Sequence, residues 1–112
     1  MIYGIQNIPI ACNMNVFMLS EREHHIQITT QLFQAVQDIH ETENGYEFIF
    51  PLASGSKILT SLAEFIFNER RCCPFLKFTL TIETDPHPIS LFLSGPAGTQ
   101  EFLREEFSEV FA

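Results

Sequence analysis

One stretch of the sequence, ERRCCPFLKF at residues 69–78, marks the junction between two different hydrophobic patterns. Before it, apolar residues recur at the three- and four-residue spacing of a helix, and after it they alternate as in a strand. Pro74 stands at the change, because proline removes a hydrogen-bond donor and disfavours helical geometry at the residue before it. The pattern therefore predicts that two adjacent cysteines, Cys72 and Cys73, lie at a corner between a helix and a strand.

The helix that leads into this corner is predicted to open at residues 54–56. Its apolar stripe is formed by Leu59, Leu62, Ala63 and Ile66, with Phe65 alongside. The next positions on this stripe are Glu69 and Cys73, so an acid and a thiol occupy places where apolar residues are expected. Because an unpaired buried carboxylate is costly, Glu69 is expected to have a partner.

The remaining patterns predict one α+β domain over residues 1–112, with the order (β)-α-β-α-β-β-α and an antiparallel sheet packed by about three helices. A capping box of Ser20 and Glu23 starts the first helix, whose apolar spacing continues for about five turns to Ile39. The bracketed strand is the irregular segment 3–14. The other elements are a turn at 43–45, strands at 46–50, 75–83 and 89–93, and a last helix from residue 99. Twelve phenylalanines and no tryptophan predict a phenylalanine core.

Composition excludes several classes of partner. The net charge of -8 argues against nucleic-acid binding and against docking on anionic membranes. No stretch approaches the roughly 20 apolar residues that span a bilayer. Polar residues and Pro9 interrupt the uncharged first 20 residues, which is not typical of a secretory signal, so a cytoplasmic location is predicted. Three cysteines, an odd number, favour reduced thiols over a disulfide scaffold.

Through ERRCCPF at residues 69–75, the chain resembles a family of small, mostly uncharacterised bacterial proteins in which E-R-x-C-C-P-F precedes an alternating strand pair. The resemblance continues at residues 95–103, GPAGTQEFL, which are similar to the family's closing G-P-x-G-x-x-x-F-L segment. It also takes in residues 9–12 and the capped helix that starts at Ser20. The resemblance implies a single domain and directs attention to the three cysteines, but it implies no particular reaction.

The first functional hypothesis is a small cytosolic protein that binds a soft metal or metalloid ion through Cys12, Cys72 and Cys73. Thiolates favour Cu(I), Zn and similar ions, and the same softness extends to Hg(II) and As(III). Glu69 precedes the cysteine pair by three and four residues, so it shares their helix face as a fourth ligand or as an acceptor for a thiol proton. The spacing is not that of the strong zinc signatures, which place two cysteine pairs at separations of two to four residues.

Two alternatives remain open from the same residues. In a thiol-redox protein, Cys72 or Cys73 would be the nucleophile, and Glu69 or an arginine would tune it. The supporting residues Arg70 and Arg71 can lower the pKa of a neighbouring thiol. The carboxyl end of a helix has the opposite effect on an anion. In a non-catalytic interaction domain, the cysteines pack the corner as small hydrophobic side chains. An apolar face or a sheet edge would then form a homodimer.

The sequence favours a binding protein over an enzyme. It contains no recognisable catalytic triad and no nucleotide-binding loop. The histidines add little support for a metal site, because His24 and His25 are adjacent and point to different faces of their helix. His87 lies between prolines in a predicted hairpin loop, where exposure to solvent is expected.

Overall fold

The computed structural model describes residues 10–51 and 56–111. Within these ranges the elements are α1 (Leu19–Gln34), β1 (Asp38–Thr42), β2 (Gly45–Phe50), α2 (Ser56–Cys72), β3 (Lys77–Ile82), β4 (Ile89–Ser94), α3 (Thr99–Glu106) and α4 (Ser108–Phe111), preceded by a 3-10 turn at Met14–Val16. The strands form one antiparallel sheet in the order β1-β2-β4-β3. The predicted α+β class is confirmed.

One face of the central strands forms the core. Alternate residues are buried, as the two-residue period of a strand requires. These residues are Tyr46, Phe48 and Phe50 on β2 and Ile89, Leu91 and Leu93 on β4. Phe48 lies directly opposite Leu91 in the register of the two strands. The helices cover this face of the sheet.

Phenylalanine side chains join the helices to the sheet. The Phe33 ring of α1 stacks on Phe107, with 4.3 Å between ring centroids. The same ring meets Phe48 of β2 and Phe65 of α2 edge-on, at 5.1 and 5.2 Å. Stacked and edge-on pairs add favourable electrostatics to the burial of a large apolar surface. The predicted phenylalanine core is therefore confirmed.

Helix α1 begins earlier than its capping pattern predicts. Met18 occupies the N-cap position, and its N–H donates to the Glu21 carboxylate at 2.9 Å. The predicted cap at Ser20, with Glu23 three residues later, is wrong by two positions. A glutamate three residues after the cap satisfies a free backbone N–H whatever the cap residue is, so the sequence contains two overlapping candidates.

The strand β1 is the element that the sequence pattern missed. Helix α1 ends at Gln34, whereas the predicted stripe continued to Ile39, which instead lies in β1. Most of β1 is exposed because it is an edge strand, so it lacks the apolar alternation that identifies a strand. The predicted turn is confirmed, with Asn44 at a φ of 56° and Gly45 packed so closely on β4 that a side chain has no room.

The buried stripe of α2 is turned slightly from the predicted one. It consists of Ile58, Leu62, Phe65, Glu69 and Cys72. Ala63 is exposed and Ile66 is only half-buried. Because Phe65 and Cys72 flank it at helical spacing, Glu69 lies among core residues, as the sequence predicted.

Strand β3 forms the second edge of the sheet. Its Phe78 packs against Phe65 of α2, with 6.4 Å between ring centroids. Farther along the same face Ile82 is 58% exposed, so the helices cover only the beginning of the strand. This edge therefore presents apolar side chains of the kind that the homodimer alternative requires.

Some predicted segments fall outside the described residues. They are the start of the edge strand at 3–9 and the opening of α2 at 54–55. The rest of that predicted segment, residues 10–14, is described and forms no strand. Among the described helices, none has the length and apolar character that a bilayer crossing requires.

Candidate functional site

The end of α2 carries two cysteines whose sulfur atoms lie side by side. Helical bonding continues one residue past the helix, because the Cys73 N–H donates to the Glu69 carbonyl at 2.8 Å. The Leu76 N–H then donates to the Cys73 carbonyl at 3.1 Å, which closes the turn around Pro74. The Cys72 and Cys73 sulfurs are 3.5 Å apart, and both side chains are buried.

Residues 10–17, the Cys12 segment, bring the third sulfur to this corner. The Asn13 N–H donates to the Cys72 carbonyl at 2.7 Å. Cys12 is joined to Cys73 by a disulfide across 61 residues of sequence, with 4.3 Å between the Cα atoms. Cys72 is a free, buried thiol. All three predicted cysteines therefore meet, but two are bonded, whereas the odd cysteine count favoured reduced thiols.

Arg71 anchors the Cys12 segment against α2. Its guanidinium lies 4.9 Å from the centre of the buried Phe17 ring, and it donates to the Val16 carbonyl at 3.2 Å. This contact combines a cation–π interaction with a hydrogen bond. Arg70 is exposed, and within residues 10–51 and 56–111 it forms no hydrogen bond or salt bridge. Arg71 therefore positions the segment that supplies Cys12.

His25 is a site residue that the sequence interpretation missed. Its Nε2 donates to Glu69 Oε1 at 2.8 Å, and only 4% and 3% of the two side chains are exposed. The imidazole lies between the rings of Phe17 and Phe65, with centroid distances of 5.2 and 5.9 Å. The partner that a buried Glu69 required is therefore a histidine from α1.

A signal for His25 was present in the spacing of α1. His25 precedes the buried Leu32 by seven residues and the buried Phe33 by eight, which places all three on one helical face. The predicted stripe started at Ile26 instead, and that side chain is 51% exposed. Beginning the stripe one residue earlier identifies His25 as a core position.

The His25 hydrogen bond orients the Glu69 carboxylate towards the sulfurs. Because His25 binds Oε1, the second oxygen, Oε2, is free to face Cys73, whose sulfur lies 3.5 Å away. The Cys72 thiol lies 3.5 Å from the Glu69 carbonyl and 3.8 Å from Oε1. Such outer hydrogen bonds commonly fix the orientation of a metal-binding carboxylate.

The Cys72 thiol is not an activated nucleophile. Burial raises its pKa to about 12, and the negative charges of Glu69 and Glu106 act in the same direction. Reactive cysteines instead have lowered pKa values, because the thiolate is the attacking species. At neutral pH Cys72 therefore keeps its proton unless a bound ion displaces it.

We expect Cys72 to make the protein less stable at alkaline pH. Its ordinary pKa of 9.0 applies to the unfolded chain, so between pH 9 and 12 the unfolded chain loses a proton that the folded protein keeps. The free energy of unfolding should then fall as pH rises, by up to about 1.4 kcal/mol per pH unit. Urea unfolding below and within this pH range measures the effect. Cys72→Ala should have a shallower slope, and equal slopes would contradict the assignment.

Glu106, near the end of α3, is a second acid that faces the site. One of its oxygens belongs to a set of four donor atoms, with those of Cys12, Glu69 and Cys73, that lie within 4.8 Å of one another. Loss of solvent around Glu106 and the charge of Glu69 raise the pKa of its carboxyl, although the side chain keeps exposed surface. No pattern in the sequence indicated this role, because Glu106 stands directly after another acid, Glu105, in the last predicted helix.

A cavity of about 200 Å³ reaches the oxygen side of the site between α1, α2 and α3. His25, Glu69 and Glu106 line it, together with Met14 and Thr29. It gives small ions a route from solvent to the carboxylates. On the sulfur side of the site, Cys72 and Cys73 are buried and Cys12 is half-buried.

Among residues 10–51 and 56–111, the donor atoms form three overlapping groups, each with its members within 4.8 Å of one another. The groups are Cys12, Cys72 and Cys73; Cys12, Glu69, Cys73 and Glu106; and His25, Glu69 and Cys72. Every predicted ligand belongs to at least one group. The first two groups become donor sets only after reduction, because the sulfurs of a disulfide are not thiolates.

Comparison with known proteins gives no match for this chain among protein-family models, curated proteins or solved structures. The similarity of residues 69–75 and 95–103 to the bacterial family therefore stays a prediction. The donor atoms and their surroundings decide what can be proposed about function.

Proposed function

We propose that the reduced protein binds one soft metal or metalloid ion through Cys12, Cys72 and Cys73. The observation that carries the proposal is the approach of three sulfurs to within 4.8 Å of one another at a buried corner. Two thiolates on one tetrahedral ion, with bonds of about 2.3 Å, stand about 3.8 Å apart. The Cys72 and Cys73 sulfurs, at 3.5 Å, are already close to that separation.

The surroundings of the sulfurs favour a thiophilic ion. Three thiolates without a fourth strong donor suit ions such as Cu(I), Hg(II) and As(III), whereas structural zinc usually has four ligands. Glu69 supports the site because its Oε2 lies 3.5 Å from the Cys73 sulfur. Cations such as Cu(I) and Hg(II) displace the thiol protons into solvent, so their affinity should increase with pH.

Reduction must precede binding. A phosphine supplies two electrons to the Cys12–Cys73 disulfide and becomes the phosphine oxide, taking the oxygen of one water molecule whose two protons complete the two thiols. A dithiol supplies both the electrons and the protons and becomes a cyclic disulfide. Arsenite then exchanges its three hydroxyl groups for the three thiolates, and the hydroxyl groups leave with the thiol protons as three water molecules. Each As–S bond thus replaces one As–O bond and one S–H bond.

Native mass spectrometry tests the proposal directly. Oxidised protein and protein reduced with a phosphine, then freed of reductant, are each mixed with arsenite. The reduced protein should gain the mass of one arsenic less three hydrogens, and the oxidised protein should not. Reduced protein alkylated under denaturing conditions and refolded is the control for the thiols. A reduced wild type that keeps its ion-free mass in excess arsenite would contradict the proposal.

The disulfide also favours a second function, thiol–disulfide exchange. A thiolate of an external dithiol would attack the sulfur of Cys12, which is half-buried, and release the buried Cys73 thiolate, which takes up a proton. The second thiol of the dithiol would then displace Cys12, which also takes up a proton, and the dithiol would leave as a cyclic disulfide. Cys72 is a poor initiator because burial raises its pKa. Exchange should therefore continue in Cys72→Ala, whereas arsenite binding through three thiolates should not.

A further inference from the structure

We infer that the reduced site has a second donor set, made of Cys12, Cys73, Glu69 and Glu106, that binds a borderline divalent cation such as Zn²⁺. This set adds Glu106 and omits Cys72, so it goes beyond the three-thiol site. The two sets share Cys12 and Cys73. A soft ion and a divalent cation should therefore compete for the protein.

The number and type of donors fit zinc. The four donor atoms, two sulfurs and two carboxylate oxygens, lie within 4.8 Å of one another. Zinc prefers four ligands in a tetrahedron, with bonds of about 2.3 Å to sulfur and 2.0–2.2 Å to oxygen. Donor atoms in such a site are separated by about 3.3–3.8 Å. After reduction the Cys12 and Cys73 sulfurs, which are bonded in the disulfide, must therefore move apart to about 3.8 Å, and the widest separations in the set must shorten by on the order of 1 Å.

The orientation of Glu69 supports the same assignment. His25 binds Oε1 at 2.8 Å, and Oε2 faces the sulfur of Cys73 at 3.5 Å. A carboxylate held at one oxygen presents the other to an ion with little loss of rotational freedom. Cys72 does not need to take part, because its thiol can donate to the Glu69 carbonyl, 3.5 Å away, while the other four groups bind.

Charge and access favour a cation at this position. Glu69 and Glu106 line the same cavity, and Glu106 reaches solvent. Within the described part of the chain, no lysine, arginine or histidine forms a salt bridge with Glu106. A divalent ion bound between the two carboxylates and the two thiolates would offset their mutual repulsion.

Cobalt(II) is the probe for this second set, because it replaces zinc in tetrahedral sites and absorbs visible light. Reduced, phosphine-free protein is titrated with Co²⁺ under argon, and Zn²⁺ should then displace the spectrum. Glu106→Gln should weaken cobalt binding at least about tenfold and leave arsenite binding unchanged. Cys72→Ser should weaken arsenite binding and leave cobalt binding unchanged. Glu105→Gln is the matched control, since it removes a neighbouring exposed charge and should change neither affinity.

Equal cobalt affinities in Glu106→Gln and Glu105→Gln would overturn the inference. So would a loss of cobalt binding in Cys72→Ser as large as its loss of arsenite binding, because a single three-thiol site would explain both. If Glu106→Gln unfolds, Glu106→Asp keeps the charge, shortens its reach and should also lose cobalt affinity. Cobalt binding without arsenite binding would refute only the proposed three-thiol function, and the opposite result would refute only this second set.

Discussion

Replacing Cys12 with serine is expected to weaken arsenite binding to the reduced protein by more than about 100-fold. Loss of an outer hydrogen bond alone typically costs 10–100-fold in metal affinity, and this change removes a ligand. Cys12 is also the sulfur that comes from the most distant part of the sequence, 61 residues from Cys73. The two adjacent thiols that remain would bind arsenic without the third bond. Competition titration with a small dithiol measures the affinity.

Val16→Ser is the matched control for this experiment. Val16 lies in the Cys12 segment and is 39% exposed, and its backbone carbonyl accepts the hydrogen bond from Arg71. The control should bind arsenite like the wild type. If Cys12→Ser and Val16→Ser bind equally well, the three-thiol site is wrong. The interpretation of the cysteines as packing residues would then be favoured.

Replacing His25 with alanine is expected to lower the free energy of unfolding by about 3–5 kcal/mol. The change leaves the Glu69 carboxylate buried without its partner, and breaking a buried pair from one side typically has this cost. Urea unfolding of the oxidised protein measures it. His24→Ala is the control, because His24 is an exposed neighbour on the same helix, and losing its surface pair with Glu64 should change stability by less than about 1 kcal/mol.

A double variant distinguishes the stabilising effect of the His25–Glu69 pair from a simple loss of packing. His25→Leu with Glu69→Leu removes both polar groups together, and such replacements are often neutral for stability. The double variant should therefore be more stable than the sum of the single changes predicts. Strict additivity would show that the two side chains do not stabilise each other. The same variant should bind cobalt poorly, because Glu69 belongs to the second donor set.

The parts of the fold that could be predicted from the sequence are those with one strong local pattern. The helix-to-strand corner at Pro74 and the Asn44 turn are of this kind, because each follows from the backbone preference of a few adjacent residues. Strand β1 is different, since an edge strand with polar side chains is determined by its pairing with β2. Pairing of this kind is not visible in the periodicity of the strand itself.

The site could be predicted where its residues are neighbours in sequence. Glu69, Cys72 and Cys73 share one helix end, so helical geometry alone brings them together. His25 and Glu106 come from other helices, and their contact with Glu69 depends on how α1 and α3 pack. Cys12 was identified only by its residue type. The backbone hydrogen bond from Asn13 that brings it to α2 has no local signature.

The two arginines show that residues adjacent in sequence do not always share one environment. Their position beside the cysteines suggested that they lower a thiol pKa, but adjacent helical residues point about 100° apart. Arg71 accordingly contacts Phe17 and Val16, while Arg70 faces solvent. Sequence proximity therefore did not give the electrostatic environment of the Cys72 sulfur, which is set mainly by burial and by the charges of Glu69 and Glu106.

Because Cys12 and Cys73 are 61 residues apart in sequence, the site is a reversible cross-link that constrains the tertiary structure. A disulfide that closes a loop of this length stabilises a fold by about 4 kcal/mol in the chain-entropy account. An ion present at about 1,000 times its dissociation constant adds a similar amount. Oxidation to the disulfide and binding of an ion should thus stabilise the attachment of the Cys12 segment to α2 by similar amounts. The reduced, ion-free protein should melt at the lowest temperature of the three forms.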